Sequence, residues 1–228
     1  MEPTRISLFW AGVRAELPIL LGVAPFGMIY GVLALDAGIP PAAAQAMSAI
    51  IFAGSSQLIT TQMVEMLIPG LLIVMTIAIV NLRHALYSAS IAPYIRHLSP
   101  MWKCGLAYFL TDEAYAVTIV HYDQEERTAY DHWFFLGAGI TLWTAWQLST
   151  AAGIFLGTAV PESWSLDFAL ALTFIALLFP TLKDRPSLAA AAVAGICSVL
   201  FFSLPYRLGL VAAVLAGILA GVWLEGRK

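Results

Sequence analysis

The chain has 228 residues, of which 61% are hydrophobic and 11% are charged, and its mean hydropathy is +0.85. A soluble domain carries about 25% charged residues, so this composition excludes an ordinary soluble domain. It predicts an all-α, polytopic helical membrane protein. The small net charge of −3 argues against nucleic acid as a partner. The two cysteines have no paired spacing, so we expect neither a disulfide nor a metal site. No cofactor is expected.

About eight hydrophobic segments are predicted along the chain, because a helix that crosses a bilayer needs about 20 mostly apolar residues. We expect a single transmembrane transporter domain over residues 1–228, located in the cytoplasmic (inner) membrane and in contact with membrane lipid. The segments are predicted at about 18–38, 41–67, 70–95, 101–122, 132–157, 164–182, 187–204 and 207–224.

A short helix is predicted ahead of the first segment, over residues 5–16, and we expect it to lie at the membrane interface. Its apolar residues Ile6, Phe9, Trp10 and Val13 share one face. Since no clean apolar core and no cleavage site precede the first segment, that segment is expected to act as its own signal.

A repeat with an offset of 126 residues relates two halves of the chain, about 1–122 and 131–228. It matches a Gly-x-x-x-Gly pair in the first segment, a spacing that lets a neighbouring helix approach closely, to a pair in the fifth. It also matches a helix breaker in segment two to one in segment six. The matched residues are Gly27 with Gly153, Gly31 with Gly157, and Gly54 with Pro180.

Two topologies satisfy the positive-inside rule, and both place the two termini in the cytoplasm. If all eight segments cross, seven Lys and Arg residues lie inside and three outside. If segments two and six are broken or re-entrant, the count is eight against two, and the halves become inverted repeats. The second topology is slightly favoured, and segment four crosses the membrane in both.

Polar residues interrupt three apolar segments at one depth, which is the layout of a solute pathway. In segment two, Gly54-Ser55-Ser56-Gln57 favours a helix break over a straight helix. In segment three, Asn81-Leu82-Arg83-His84 places a charge at the centre of the run. In segment four, Asp112 and Glu113 are adjacent. Either acid can pair with Arg83, and residue spacing alone does not decide between them.

Four motifs in the first half of the chain are characteristic together. They are Pro25-Phe26-Gly27, Phe52-Ala53-Gly54-Ser55-Ser56-Gln57, Asn81-Leu82-Arg83-His84 with Leu86-Tyr87, and Thr111-Asp112-Glu113. In these motifs the chain resembles the large subunit of the azaleucine-resistance, AzlC-type branched-chain amino acid exporters. This resemblance implies export of leucine, isoleucine, valine or similar amino acids, and a small hydrophobic AzlD-type membrane subunit as partner.

An amino acid substrate would need a donor-rich pocket for its carboxylate, an acceptor for its ammonium group and an apolar pocket for its side chain. No Walker-type phosphate loop is present, so a gradient would drive transport. The expected substrate-binding residues are Phe26, Phe52, Gly54, Ser55, Ser56, Gln57, Asn81 and Arg83. The expected proton-coupling or ion-pair residues are His84, Asp112 and Glu113.

Three alternatives to a transporter remain open. The chain could be a non-transporting assembly subunit or a passive channel. The remote enzyme alternative is an intramembrane serine hydrolase, which would use Ser55 or Ser56 with His84 as its base. We expect no enzymatic activity, because the neighbouring Arg83 disfavours an imidazolium intermediate.

Overall fold

The computed structural model describes residues 4–124, 128–157, 182, 184–204 and 208–226, and helices without strands make up this part of the chain. The all-α prediction is therefore confirmed. Segment six, including Pro180, lies outside the described residues except for residue 182. Two compact units are present, Met1–Leu67 with Val80–Trp164, and Ile68–Ile79 with Ser165–Lys228. The proposed halves at 1–122 and 131–228 stay a prediction.

The described helices follow the predicted segments closely, although several segments are broken into two helices. They are α1 Arg5–Glu16, α2 Leu20–Asp36, α3 Pro41–Ile51, α4 Gly54–Glu65, α5 Gly70–Val80, α6 Leu82–Ile95, α7 Pro100–Tyr108, α8 Asp112–Gln124, α9 His132–Gly157, α10 Arg185–Leu200 and α11 Leu208–Glu225.

Two stretches in the described part of the chain are long and apolar enough to cross a membrane, namely Gly70–Ile95 and Leu208–Glu225. The pair of α1 and α2 would add a third if it forms one span, although it bends by 68° between the two helices. These stretches agree with a helical membrane protein, but they do not fix how often the chain crosses.

The first unit is built around α9, against which both α1 and α2 pack. Gly31 allows the backbones of α2 and α9 to approach closely, since a Cβ atom there would lie 2.5 Å from the Thr150 carbonyl oxygen. On the other side of the same contact, a Cβ on Gly153 would collide with the Met28 carbonyl. The predicted close approach at the Gly27–Gly31 pair is thus confirmed, and the neighbouring helix is α9.

Helix α1 forms where it was predicted, and its buried residues are not those of the predicted apolar face. Leu8 and Gly12 are buried, whereas the side chains of Ile6 and Trp10 are exposed. The reason is again a close backbone contact, because Gly12 lies against the Phe134 carbonyl of α9 and leaves no room for a larger side chain. Thus α1 packs along the first half of α9.

Helices α7 and α8 form a hairpin, and both ends of this hairpin lie beside the start of α9. At the start of α7, Trp102 packs against His132, with ring centroids 4.9 Å apart. At the end of α8, His121 stacks on Phe134 at 3.9 Å. The turn of the hairpin, at Phe109, lies further along α9. Both predicted topologies make segment four cross the membrane, and that crossing stays a prediction.

Basic residues gather at the end of the first unit where α9 begins. The Arg5 guanidinium lies 4.8 Å from the centre of the Tyr130 ring, and the His97 ring lies 6.4 Å from that of His132. Lys103 donates a hydrogen bond to the Arg96 carbonyl at 2.9 Å. The start of α1, the α6–α7 turn and the start of α9 therefore share one end.

In the second unit, α10 and α11 pack tightly through small residues, as their alanine- and glycine-rich sequences predict. A Cβ on Gly217 would lie 2.8 Å from the Ala194 Cβ.

Candidate functional site

The predicted break in segment two is present, and the straight-helix alternative is wrong. Phe52 adopts a left-handed conformation, with φ 43° and ψ 48°, and Ala53 is extended before α4 begins at Gly54. No side chain caps the start of α4 among the described contacts. The first amide groups of α4 therefore remain available as donors, as at any uncapped helix start.

Segments three and four are also interrupted, which was not predicted, although segment three remains one continuous stretch, Gly70–Ile95, apart from Asn81. Segment three is interrupted at Asn81 alone, between α5 and α6, and segment four at residues 109–111, between α7 and α8. The Thr111 hydroxyl caps α8 by accepting a hydrogen bond from the Ala114 amide at 3.3 Å. Neither break contains glycine or proline, so their composition gives no helix-breaking signal.

The three breaks come together around Arg83. Its Nη1 donates to the Asp112 Oδ2 at 2.5 Å, and its Nη2 donates to the Ser55 hydroxyl at 3.2 Å. The Ser56 hydroxyl donates to the Asn81 Oδ1 at 2.6 Å. The starts of α4, α6 and α8 therefore converge, and the question left open by the sequence is answered: Asp112, and not Glu113, pairs with Arg83.

The charges where the three helix starts meet favour an anionic group next to a cationic one. Each helix start carries a partial positive charge and stabilises negative charge nearby, and Asp112 is the first residue of α8. The Arg83–Asp112 pair is partly open, since 28% and 36% of the two side chains remain exposed. Among the described residues, the Arg83 Nε and the Asp112 Oδ1 are buried and have no hydrogen-bond partner, so a ligand would reach these two atoms only by loosening the pair.

An aromatic wall, formed by Phe26, Tyr30 and Trp146, stands next to the start of α4. The Trp146 ring lies 5.9 Å from the Phe26 ring and 6.3 Å from that of Tyr30, and its Nε1 donates to the Gln57 Oε1 at 3.1 Å. A Cβ on Gly54 would lie 2.9 Å from the Trp146 ring. The predicted residues Phe26, Gly54 and Gln57 thus meet here, and Trp146 contacts all three.

Phe52 and His84 lie near the breaks but are held by other groups. The Phe52 ring packs at 6.1 Å from Tyr108, whose hydroxyl donates to the Ala49 carbonyl. The His84 Nδ1 lies 3.2 Å from the Asn81 carbonyl oxygen. The hydrolase alternative needs a serine bonded to His84, whereas the contacts described for the two serines go to Arg83 and Asn81.

Two polar features were missed by the sequence reasoning. Gln45 donates to the Gln147 Oε1 at 2.7 Å, and the Ser48 and Thr150 hydroxyls lie 2.9 Å apart, so α3 and α9 are joined by a polar ladder.

The second feature is Glu16, the last residue of α1, which is completely buried. Its only sequence signal was an acid immediately before the Leu17-Pro18 step, within a helix assigned to the interface.

A cavity of about 300 Å³ lies elsewhere in the first unit, between α6, α7 and α9. Ile91, Leu110 and Phe135 line its apolar interior, and Arg96 and Lys103 stand beside them. None of the predicted site residues lines it. No cluster of His, Cys, Asp and Glu suited to a metal ion occurs among the described residues.

The fold and the site together define a class of protein. It is a helical membrane protein whose broken helices bring a charged pair, and polar atoms without a hydrogen-bond partner, into an apolar surrounding. The family model described as AzlC protein matches residues 18–160, which include all three breaks. The chain belongs to this AzlC family.

The curated relatives are membrane proteins too. The chain is 28% identical to the inner membrane protein YgaZ of Escherichia coli over 89% of its own length and 85% of that protein. It is 32% identical to an uncharacterised membrane protein of Archaeoglobus fulgidus, over 88% and 87% of the two chains. A Helicobacter pylori membrane protein is 26% identical over 81% and 82%. No solved structure matches.

Proposed function

We propose that this protein is a gradient-driven secondary transporter that exports branched-chain or similar hydrophobic amino acids across the cytoplasmic membrane. The observation that carries the proposal is the meeting of three helix starts on a partly open Arg83–Asp112 pair. Membership of the AzlC family and the resemblance to azaleucine-resistance exporters support the class of substrate. The resemblance also supports a small AzlD-type membrane subunit as the partner.

The site has complementary groups for both ends of a zwitterionic amino acid. The substrate carboxylate binds the Arg83 Nε and the free amides at the start of α4, since helix starts and guanidinium groups both favour carboxylates. The ammonium group binds the Asp112 carboxylate, whose described neighbours are Arg83 and Tyr87. The branched side chain lies against Phe26 and Trp146.

Binding of the substrate would weaken the ion pair that closes the site. The Asp112 carboxylate and the substrate carboxylate compete for one guanidinium, so a bound amino acid loosens the link between α6 and α8. Alternating access then follows from movement of α8 relative to α6. A passive channel has no need of such competition, and its flux would not saturate with substrate.

The test is release of preloaded radiolabelled leucine from cells that express the chain with the small membrane subunit. Wild type is expected to release leucine in a saturable manner, and Arg83→Ala to abolish release at equal membrane abundance. Arg96→Ala, which removes an exposed arginine at the end of α6, is the matched control and should release normally.

Two results would contradict the proposal. Release equal to that of empty cells would exclude leucine as a substrate. Normal release by Arg83→Ala would exclude the site. Co-purification of the small subunit with each variant separates transport from assembly, because a purely assembling chain would lose its partner and its activity together.

A further inference from the structure

The cavity between α6, α7 and α9 has an apolar interior and is large enough to hold part of a ligand. Its volume of about 300 Å³ lies at the lower end of the range of ligand pockets. Its floor is formed by Ile91, Leu110 and Phe135, which are buried. No acidic side chain is found among the described residues that line it. The interior therefore suits a hydrocarbon group.

The cavity is open on one side because small residues border it. Ser88 and Ala92 lie one helical turn apart on α6, Ala107 lies on α7, and all three are exposed. Helix α6 packs on α8 whereas α7 packs on α9, so α6 and α7 do not fill the space between them. An apolar group can thus enter from the side.

The rim of the cavity lies at the level of lipid headgroups. The apolar stretch Gly70–Ile95, which is long enough to cross a membrane, ends immediately before Arg96. At the start of α7, the Trp102 ring lies 5.4 Å from that of Trp133, and tryptophan is enriched at the membrane interface. From Arg96 back to Ser88, α6 rises roughly 12 Å at about 1.5 Å per residue. The cavity therefore extends from the interface into the depth of the acyl chains.

Arg96 and Lys103, the two cations at this rim, retain donors for an anion. The Lys103 Nζ donates to the Arg96 carbonyl at 2.9 Å, and the Arg96 Nε donates to the Pro93 carbonyl at 3.3 Å. Neither cation pairs with an acid among the described residues. Asp123, near the end of α8, accepts a bond from the Tyr94 hydroxyl at 2.7 Å. The Arg96 Nη groups and the other Lys103 protons are therefore available to a phosphate.

We propose that this cavity binds an anionic phospholipid, with one acyl chain in the apolar interior and the phosphate on Arg96 and Lys103. A basic pocket between membrane helices suits an anionic headgroup, and the cavity begins where acyl chains begin. The lipid site is separate from the Arg83 site, since none of the residues predicted for substrate binding lines the cavity. The inference goes beyond the proposed function, and leucine release is not expected to need the lipid.

The test is lipid binding to the purified full-length chain in detergent, measured by native mass spectrometry. Dioleoyl phosphatidylglycerol should bind at least about tenfold more tightly than dioleoyl phosphatidylcholine, which has the same acyl chains and no net charge. Arg96→Gln and Lys103→Gln should each weaken phosphatidylglycerol binding about fivefold. Arg185→Gln, which removes an exposed arginine outside the cavity, is the control and should bind as wild type.

A second pair of variants tests the place of the acyl chain. Ala107→Phe puts a ring across the opening and keeps both cations, so phosphatidylglycerol binding should fall to the level of phosphatidylcholine. Because Ala107 is exposed, the ring is not forced into a packed contact. Gly105→Phe adds the same ring to the opposite side of α7, where nothing lies within 4 Å of a Cβ, and should bind normally.

Four results would overturn the inference. They are equal binding of the two lipids, undiminished binding by Ala107→Phe, full displacement of the lipid by inorganic phosphate at equal concentration, and loss of lipid binding when the small membrane subunit is added. The third result would show a site for a free anion. The fourth would assign the cavity to a protein partner.

Discussion

Arg83 is the residue on which the site depends, because it connects α6 to both α8 and α4 through Asp112 and Ser55. A charge at membrane depth persists only with a partner or a ligand. Asp112 supplies the partner, and the atoms left without one can serve a ligand. The pair thus contributes to folding and to binding at once, and single substitutions will affect both.

A double-mutant cycle separates these two roles at the residue scale. Arg83→Gln or Asp112→Asn alone leaves one charge without its partner, so each should lower the thermal unfolding temperature of the purified complex. The double variant should lose less than the sum, with a coupling of at least about 0.5 kcal/mol, as expected for groups in contact. Asp112→Asn combined with Arg96→Gln is the control and should be additive. Additive losses for Arg83 and Asp112 would show that the pair contributes little to stability.

At the scale of elements, the fit of α2 against α9 depends on glycines rather than on large apolar side chains. Gly31 and Gly153 let the two backbones touch, and in a membrane such close packing replaces the hydrophobic effect that is missing between lipid-covered helices. The same helices carry Phe26 and Trp146, so this contact also positions the aromatic wall.

Adding a single methyl group at this contact should push α2 away from α9. Gly153→Ala is expected to lower the free energy of unfolding by about 1–3 kcal/mol, the usual range for an overfilled contact, as measured by thermal unfolding in detergent. Gly22→Ala in α2 is the matched control, because nothing lies within 4 Å of a Cβ there. Equal stability of both variants would argue against the close packing.

The sequence predicted most helices and one of the three breaks. Gly54 and the two serines favour a break by their own chemistry. Asn81 interrupts its segment with a nearly helical backbone, φ −82° and ψ −2°, and the Phe109–Thr111 stretch has no helix-breaking residue. Both breaks follow from tertiary contacts around Arg83, and a single sequence does not contain that information.

Glu16 was missed for a related reason. Periodicity assigned α1 to the interface by its large apolar residues, whereas the buried face is set by Gly12 and its backbone contact with α9. The site residues Ser55, Ser56, Asn81, Arg83 and Asp112 were predicted together because polar side chains in apolar runs need one another. Which acid pairs with Arg83 required coordinates.

At the scale of the whole molecule, the gathering of basic residues predicts sidedness. Arg5, Arg96 and Lys103 lie at the end of the first unit where α9 begins, and positive residues are enriched on the cytoplasmic side. We expect that end to face the cytoplasm. The predicted cytoplasmic N-terminus agrees with this orientation.

Cysteine labelling of intact cells and inverted vesicles tests both sidedness and the hairpin. In a background with Cys104→Ser and Cys197→Ser, single cysteines in place of Ser99 and Ala129 flank the α7–α8 hairpin. A membrane-impermeant maleimide should label both only in inverted vesicles. Labelling of the two positions from opposite sides would show that segment four crosses the membrane.

The α7–α8 hairpin also has a consequence for how the protein is made. A ribosome delivers residues 101–122 as an apolar run that the insertion machinery would handle as an ordinary span, whereas both ends of the folded hairpin lie near the start of α9. The hairpin rests on α9, where a Cβ on Gly139 would lie 2.6 Å from the Phe109 Cβ, and α9 is synthesised later. The turn of the hairpin therefore reaches its final packing only after α9 is made, and we expect substitutions at Gly139 to act at this step.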